Sequence, residues 1–354
     1  MAKPMATTAK PKAKRGAKNI SFATFNLYNL QLPDVEWYKN VYTKAAYTQK
    51  IKWSAAALIQ LDADVIAFQE LWSKQCLIDL FEAANLTENY TLYFIKDKWY
   101  NIAVAAAVRK PWQVTDRKTH KDFPSNINLS KPPSTDGEDD DIAITIDRFS
   151  RTILQLSINH ADNPEKAKTT LPNIEVLITH LKSKRPTVLS TKSKALKLHQ
   201  EAIGSALSTI RRTAEAAALR VLLTTLMKKT DQPVVVLGDL NDAALSNTLS
   251  IITQQPPWRM YESSRVGNRN DAGLYTVSIL QQMRSLKDVY YTHEFKGIQE
   301  VIDHVLVSEQ FYDHSDRRIW SFQEMRVWND YIKDDNKSSS DHGIVSAHFL
   351  YDPK

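Results

Sequence analysis

Residues 234–242 read VVVLGDLND. Val234 to Leu237 have the β-branched, apolar character of a buried strand, and Asp239, Asn241 and Asp242 then crowd into four positions behind Gly238. A strand that ends in so many carboxylate and amide groups is either an ordinary turn or one wall of a polar site. A turn suffices for any one such segment, because Asn and Asp readily bond their own backbone. Strand alternation puts Asp239 and Asn241 on one face with Leu240 turned away, while Asp242 reads as a cap for the next turn or helix.

Comparable endings recur along the chain. ISFATFNLY (20–28) alternates as a strand does and carries Asn26, and ADVIAFQEL (63–71) is a short buried-type strand ending near Glu70. NIEVLITHLKSK (173–184) delivers His180, and SSSDHGIVSAHFLY (338–351) opens on Asp341 and His342. EVIDHVLVS (300–308) places Asp303 in an otherwise apolar strand, where an unpaired carboxylate is costly. A histidine partner would relieve it, fixing the ring's tautomer and favouring the imidazolium, the form useful beside a phosphate. His304 points to the opposite face of that strand, and the histidines at 120, 160, 199, 293 and 314 fit no motif and read as surface or structural residues.

Between these segments, AYTQKIKWSAAALIQLD (46–62), SKQCLIDLFEAANL (73–86) and roughly 190–229 have helical spacing, with a helix or loop near 246–252. YTLYFIK (90–96), IAVAAAVRKPWQV (102–114) and IAITIDRFSRTILQLSI (142–158) read as strands, and the stretch through 285 as polar and irregular. Several strands succeed one another with no helix between, so a mixed or antiparallel α+β architecture is expected rather than a doubly wound parallel sheet. Residues 119–141, ending in PPSTDGEDDD, read as an unpacked acidic loop insertion. With no sharp linker, residues 20–354 are expected to form a single domain behind a disordered basic tail, 1–19.

Composition narrows the function. With 354 residues and 43% hydrophobic content the chain can bury a large core. No run of about 18 apolar residues and no apolar leader appears, so no membrane span is expected and the protein reads as soluble and cytoplasmic. One cysteine, Cys76, excludes an intrachain disulfide framework and reads as a core residue. The net charge is +6, and Lys3, Lys10, Lys12, Lys14, Arg15 and Lys18 account for all of it, so the remainder is neutral overall. A local basic strip spans 182–229, with Lys182, Lys184 and Arg185 next to His180. Such a strip draws a nucleic-acid backbone, unless it is a solvated helix face. Trp99, Tyr100 and Trp112 have the chemistry to stack on bases, although their spacing suits a core better. Nothing in the sequence identifies a protein partner.

The ordered set FNLYNL, FQE, THLKSK, GDLND, IDHVLVS and SDHG resembles the motifs of the endonuclease/exonuclease/phosphatase superfamily, across residues 20–350. The resemblance implies a deoxyribonuclease I-like four-layered α/β sandwich: two packed, mainly antiparallel sheets flanked by helices, with the site at one end. It implies Glu70 as main ligand of Mg2+, or Mn2+, with Asn26 and Asp341 nearby; hard oxygen donors suit such a cation and no zinc-type Cys/His spacing is present. It implies Asp239 orienting or deprotonating the attacking water and Asn241 positioning that water or the phosphate. His342 held by Asp303 would polarise a phosphate oxygen, and His180 would stabilise the transition state or protonate the leaving oxygen. Arg151 in RFSR and Lys182 are the expected phosphate-binding cations. The family's abasic endonucleases usually lack a histidine at the position of His180, and the 5-phosphatase Cys-Asp-Arg signature is absent at VIDHVLVS. A metal-dependent nuclease cleaving DNA or RNA is therefore the first expectation. A phospholipid or small-molecule phosphodiesterase or phosphatase, sphingomyelinase-like, is the second, and a binding protein that lost catalysis the third.

Overall fold

The structure is a computed structural model that describes residues 18–95, 102–125, 127–131, 142–161, 171–190, 193–254, 273–284, 291–295, 298–332 and 338–354. The basic tail up to residue 17, the acidic run 132–141, Trp99 and Tyr100 lie outside the described residues. In chain order the first half holds β1 (Ile20–Leu30), a short hairpin of β2 (Glu36–Trp37) and β3 (Asn40–Val41), α1 (Lys44–Leu61), β4 (Val65–Leu71), α2 (Lys74–Ala83), β5 (Tyr90–Phe94) and β6 (Ala103–Arg109). The middle holds β7 (Trp112–Asp122), β8 (Ser130–Lys131), β9 (Ile142–Ala143), β10 (Arg148–His160), β11 (Ile174–His180), α3 (Lys194–Leu198), α4 (Gln200–Met227) and β12 (Val234–Asp239). The last third holds α5 (Asn247–Thr253), β13 (Tyr275–Thr276), α6 (Val277–Arg284), β14 (His293–Phe295), β15 (Ile298–Glu300), β16 (Asp303–Val307), β17 (Trp320–Trp328) and β18 (Ile344–Tyr351).

Two six-stranded sheets form, in the orders β17-β18-β1-β4-β6-β5 and β13-β16-β12-β11-β10-β7. Each is antiparallel except at one central pair, β1 with β4 and β11 with β12. Parallel neighbours need a crossover, and a helix supplies it in both halves: α1 between β1 and β4, α4 between β11 and β12. Because the central strands are covered on both faces, they are apolar nearly throughout. One cluster joins the facing surfaces of the two sheets through Phe22, Ala67, Val104, Leu156, Val176 and Val235. A second packs Phe25, Ile66 and Phe68 under Leu58, Leu77 and Leu80 of α1 and α2, and a third packs Leu177, Val236 and Leu306 under Leu219, Leu223 and Leu249 of α4 and α5. The four layers are therefore helix, sheet, sheet, helix, as the family resemblance implies.

The element boundaries sharpen several expectations. The stretch expected as an insertion from 119 begins inside β7, because Thr119 and His120 stay in register with Leu154 and Ile153 and His120 Nε2 bonds Gln155 Oε1 at 2.7 Å. Segment 102–114 is two strands that turn at Lys110 and Pro111, and 142–158 divides into β9 and β10. The nominally polar stretch before 285 includes α6, whose Val277 and Leu280 dock into the intersheet core. Strand β17, not foreseen, forms the edge beside β18. Cys76 is fully buried, and Trp112 is a core residue set edge-on against His160 at 5.0 Å rather than an open stacking surface.

Candidate active site

Both parallel pairs end at the same edge of the sandwich, and there the predicted groups converge. In the second sheet His180 is in register with Asp239, which is in register with Asp303. Side chains at directly paired positions stand on the same face, so three chemical groups on consecutive strands meet without long loops. Gly238 permits this closeness: its φ is +145°, and a Cβ would lie 2.0 Å from the Thr179 carbonyl oxygen of β11. His180 Nε2 stands 3.5 Å from Asp239 Oδ2. Asn26 of β1 donates from Nδ2 to that oxygen at 3.3 Å, which joins the first sheet to the second.

Asp303 and His342 form the pair that burial of a carboxylate demands: His342 Nδ1 is 2.9 Å from Asp303 Oδ2, and Nε2 looks toward Asp239 Oδ2 at 4.0 Å. The ring is held from behind, because Ser340 Oγ accepts from the His342 amide and donates to the Asn26 carbonyl, and the Tyr331 hydroxyl donates to the His342 carbonyl. Burial alone would keep His342 neutral, but the Asp303 carboxylate, with Asp239 and Asp341, overrides it and holds the imidazole pKa well above its ordinary value. Burial acts the other way on Asp239, pushing its carboxyl up to about 7, with Asp303 adding to the rise and His342 and the Asn241 amide opposing it. His180 lies among cations: burial first, then Arg151 and His342, push its pKa well below the usual value, so it is a neutral imidazole.

Glu70, the penultimate residue of β4, sits in the left-handed region at φ +58°, where its Oε2 accepts from the Asn29 amide at 3.0 Å. Tyr28, Asn29 and Asn241 share positive φ, so non-glycine strain collects around this edge, as it does where a site over-determines the backbone. Burial raises the Glu70 pKa and Asp341 adds to it, while His342, Arg151 and a hydrogen bond with Asn26 oppose it. Asp341 Oδ1 is buried with no hydrogen-bond partner among the described residues. Stressed carboxylates, an amide and an orphaned carboxylate oxygen form a donor set that suits a hard divalent cation. Two further groups, Asp239 with Asp303 and His342, and His293 with Asp341 and His342, hold their ligand atoms within 4.8 Å of one another.

The other expected residues divide between the site and its supports. Arg151 donates from Nη1 to the Leu181 carbonyl at 3.1 Å, and its charge is felt by both Glu70 and His180. Asn241 directs its own amide to Asp239 Oδ1 at 2.8 Å and its side-chain Nδ2 to the Leu181 carbonyl at 3.1 Å. Lys182 folds its ammonium onto the carbonyls of Ser183 and Arg185, so the structure does not bring it to the carboxylates. Asp242 is structural, accepting from the Ala243 amide and the Thr248 hydroxyl and pairing with Arg212. His304 faces the same segment, with Nε2 2.8 Å from the Asp242 carbonyl.

Two neighbours of the site escaped the sequence reading. Lys50 of α1 is buried, donates to the Ser339 carbonyl at 3.1 Å and lies over the Tyr28 ring at 5.2 Å. Burial lowers its pKa to about 8, against the pull of Asp341 and Glu70. Its signal was present, since positions 47, 50, 54 and 58 lie on one helical stripe with Tyr47, Ser54 and Leu58. His293 comes beside His342 through a backbone bridge that no periodicity announces, with ring centroids 5.0 Å apart.

Comparisons agree with this architecture. Among solved structures, a humanized D. rerio TDP2 carrying 14 mutations superposes with a TM-score of 0.55 at 13% identity, over 94% of this chain and 99% of that one. TDP2 from C. elegans gives 0.52 at 13% identity over 96% and 77%, and a mannosyl-6-phosphatase of Bacteroides thetaiotaomicron gives 0.51 at 13% over 94% and 100%. At such identity these likenesses speak for the fold alone. No curated protein sequence matches the chain. The sequence profile of the Endonuclease/Exonuclease/phosphatase family matches residues 23–342, from the first motif strand to His342, and the chain therefore belongs to that family.

Proposed function

We propose that this protein is a Mg2+-dependent phosphodiesterase, with Mn2+ able to substitute, that cleaves the backbone of DNA or RNA by in-line attack of water. The observation that carries the reading is the buried set Asp303, His342, Asp239 and His180, in which a histidine held as imidazolium faces a carboxylate whose pKa lies near neutrality. A base with such a pKa is matched to removing a proton from water at physiological pH. Asp239 keeps one oxygen on the Asn241 amide and presents the other toward Asn26, His180 and His342, which fixes the direction from which it takes the proton. His342 contributes positive charge and an N–H to a nonbridging phosphate oxygen, and Asp303 keeps its ring oriented. Of the two roles open to His180, a neutral imidazole suits donation to the developing charge better than transfer of a proton. Arg151 adds a fixed positive charge on the same side. A divalent cation held by Glu70, Asn26 and Asp341 would supply Lewis-acid polarisation of the phosphoryl group. The reading takes residues 20–354 as one catalytic domain.

Exposed Arg185, shortly after the His180 strand, supports the nucleic-acid substrate. A smaller phosphate ester is the second reading, and the charge pairing favours it: Lys184 is spent on Glu300 at 2.8 Å, Arg212 on Asp242, and Arg220 on the Ile252 carbonyl. The mannosyl-6-phosphatase among the structural neighbours has the same fold. A parallel assay on plasmid DNA, single-stranded RNA, sphingomyelin, bis-p-nitrophenyl phosphate and a sugar monophosphate decides between them. Cleavage of the polynucleotides upholds the first reading; turnover confined to the lipid or the small esters replaces it with the second.

A further inference from the structure

The hairpin of β14 and β15 sets an imidazole beside the catalytic edge for which the hydrolytic reading has no use. We infer that His293, Asp341 and His342 form a binding site for a borderline transition-metal cation of the Zn2+ class, separate in chemistry from the oxygen-lined site at Glu70, and that its occupation switches hydrolysis off.

Three observations carry this. First, the ligand atoms of His293, Asp341 and His342 lie within 4.8 Å of one another. A tetrahedral zinc site with bonds of about 2.0–2.1 Å holds its ligands roughly 3.3 Å apart, so a small rotation of half-buried His293 closes the set. Second, the two imidazoles are juxtaposed by the backbone rather than by chance: His293 and His342 form an antiparallel bridge, and the Gly343 amide donates to the Thr292 carbonyl at 2.6 Å. Third, the outer partners suit metal ligation. Asp303 occupies Nδ1 of His342 and leaves Nε2 open, the carboxylate-behind-histidine arrangement usual at zinc, and Asp341 Oδ1 is buried with no hydrogen-bond partner among the described residues. Two imidazoles and one carboxylate make the set softer than any Mg2+ site requires, and three protein ligands leave a fourth position open.

The consequence for hydrolysis rests on the proposed function. A cation on His342 Nε2 blocks the ring nitrogen that faces Asp239 Oδ2 at 4.0 Å, the side on which the proposed mechanism places the phosphate, and it draws Asp341 away from the Mg2+ ligands. Zn2+ is therefore expected to compete with catalysis rather than support it.

The test begins with binding, without turnover. The purified full chain, stripped by chelator and exchanged into chelator-free buffer, is titrated with Zn2+ by calorimetry and with Co2+ by visible absorption. One equivalent of Zn2+ and intense tetrahedral Co2+ bands are expected, with affinity reduced at least on the order of tenfold to a hundredfold in His293→Gln and in Asp303→Asn. Equal Zn2+ affinity in wild type and His293→Gln overturns the site. If circular dichroism shows the glutamine variant unfolded, His293→Asn and the imidazole 15N spectrum of the wild-type chain take its place; Zn2+ that leaves the histidine ring nitrogens unshifted overturns the site equally. Inhibition is then read as the Zn2+ concentration that halves each variant's own Mg2+-dependent rate, and it is expected to rise at least tenfold in His293→Gln. Tight zinc binding by a chain that hydrolyses no phosphate ester sinks the proposed function and leaves this site standing. Hydrolysis by a His293→Gln variant as zinc-sensitive as wild type does the reverse.

Discussion

Asp239 couples activity and stability in opposite directions. Its carboxyl holds a proton in the folded chain up to about pH 7, far above the ordinary carboxylate value it regains on unfolding. A raised folded pKa contributes stability below the unfolded value, and that contribution is lost as pH rises through the folded one. In chelator, Asp239→Asn is therefore expected to melt above wild type at pH 8, with the gap closing toward pH 4; with Mg2+ present, its hydrolysis is expected to fall roughly a hundred- to ten-thousandfold. Paired thermal melts and rates check both; a variant with wild-type turnover removes Asp239 from the chemistry. His342→Ala is expected to lose activity on the same scale. It also strands Asp303 as a buried carboxylate, so its melting temperature should fall where that of Asp239→Asn rises.

The elements that position these residues depend on a few buried connections. Glu215 of α4 is fully buried and accepts from the Ser150 amide and hydroxyl, the Lys182 amide and Arg211 Nε, at 2.6–3.2 Å. One carboxylate thus ties the crossover helix to β10, next to Arg151, and to the loop after His180. Glu215→Ala is expected to cost about 3–5 kcal/mol, read from denaturant unfolding, because it leaves several donors without a partner. A change below 1 kcal/mol would show that these bonds are replaced by water. Gly238→Ala should cost at least about 1–3 kcal/mol, since its Cβ meets backbone of β11 and not a side chain that can move. At this scale the sequence misled where a local pattern was outvoted. Strand β17 and helix α6 have neighbours that only the sheet edge and the intersheet core provide. The basic character of α4 suggested either a polyanion surface or a solvated helix face, yet Arg212 and Arg220 are consumed inside the protein.

In the whole molecule the site is a seam. Asn26 and Glu70 come from the sheet containing β1, His342 from the segment leading into β18 of that sheet, and His180, Asp239 and Asp303 from the sheet containing β12. A cation bound at Glu70, Asn26 and Asp341 has no counterpart in the unfolded chain, so Mg2+ should raise the melting temperature by mass action. The gain is about 2.7 kcal/mol at a hundredfold excess over Kd, and EDTA should abolish both that gain and the hydrolysis. Undiminished activity after exhaustive chelation would point to a different mechanism. Among the described residues no helix is long and apolar enough to cross a membrane.

Read alone, the sequence located the strands that carry or border Asn26, Glu70, His180, Asp239 and His342. Buried strands announce themselves by local apolar runs, and a chemical group at a strand end is visible within a few residues. It also made a partner for Asp303 necessary, because burial of a carboxylate has one physical consequence wherever it occurs. Only the tertiary structure decided which partner, and which protonation each member of the set holds, since pKa values depend on distances between strands far apart in the chain. The same holds for Lys50 beneath the Ser339 turn and for His293 beside His342. Each of these placements is set by a backbone approach between distant segments, and local sequence carries no measure of that approach.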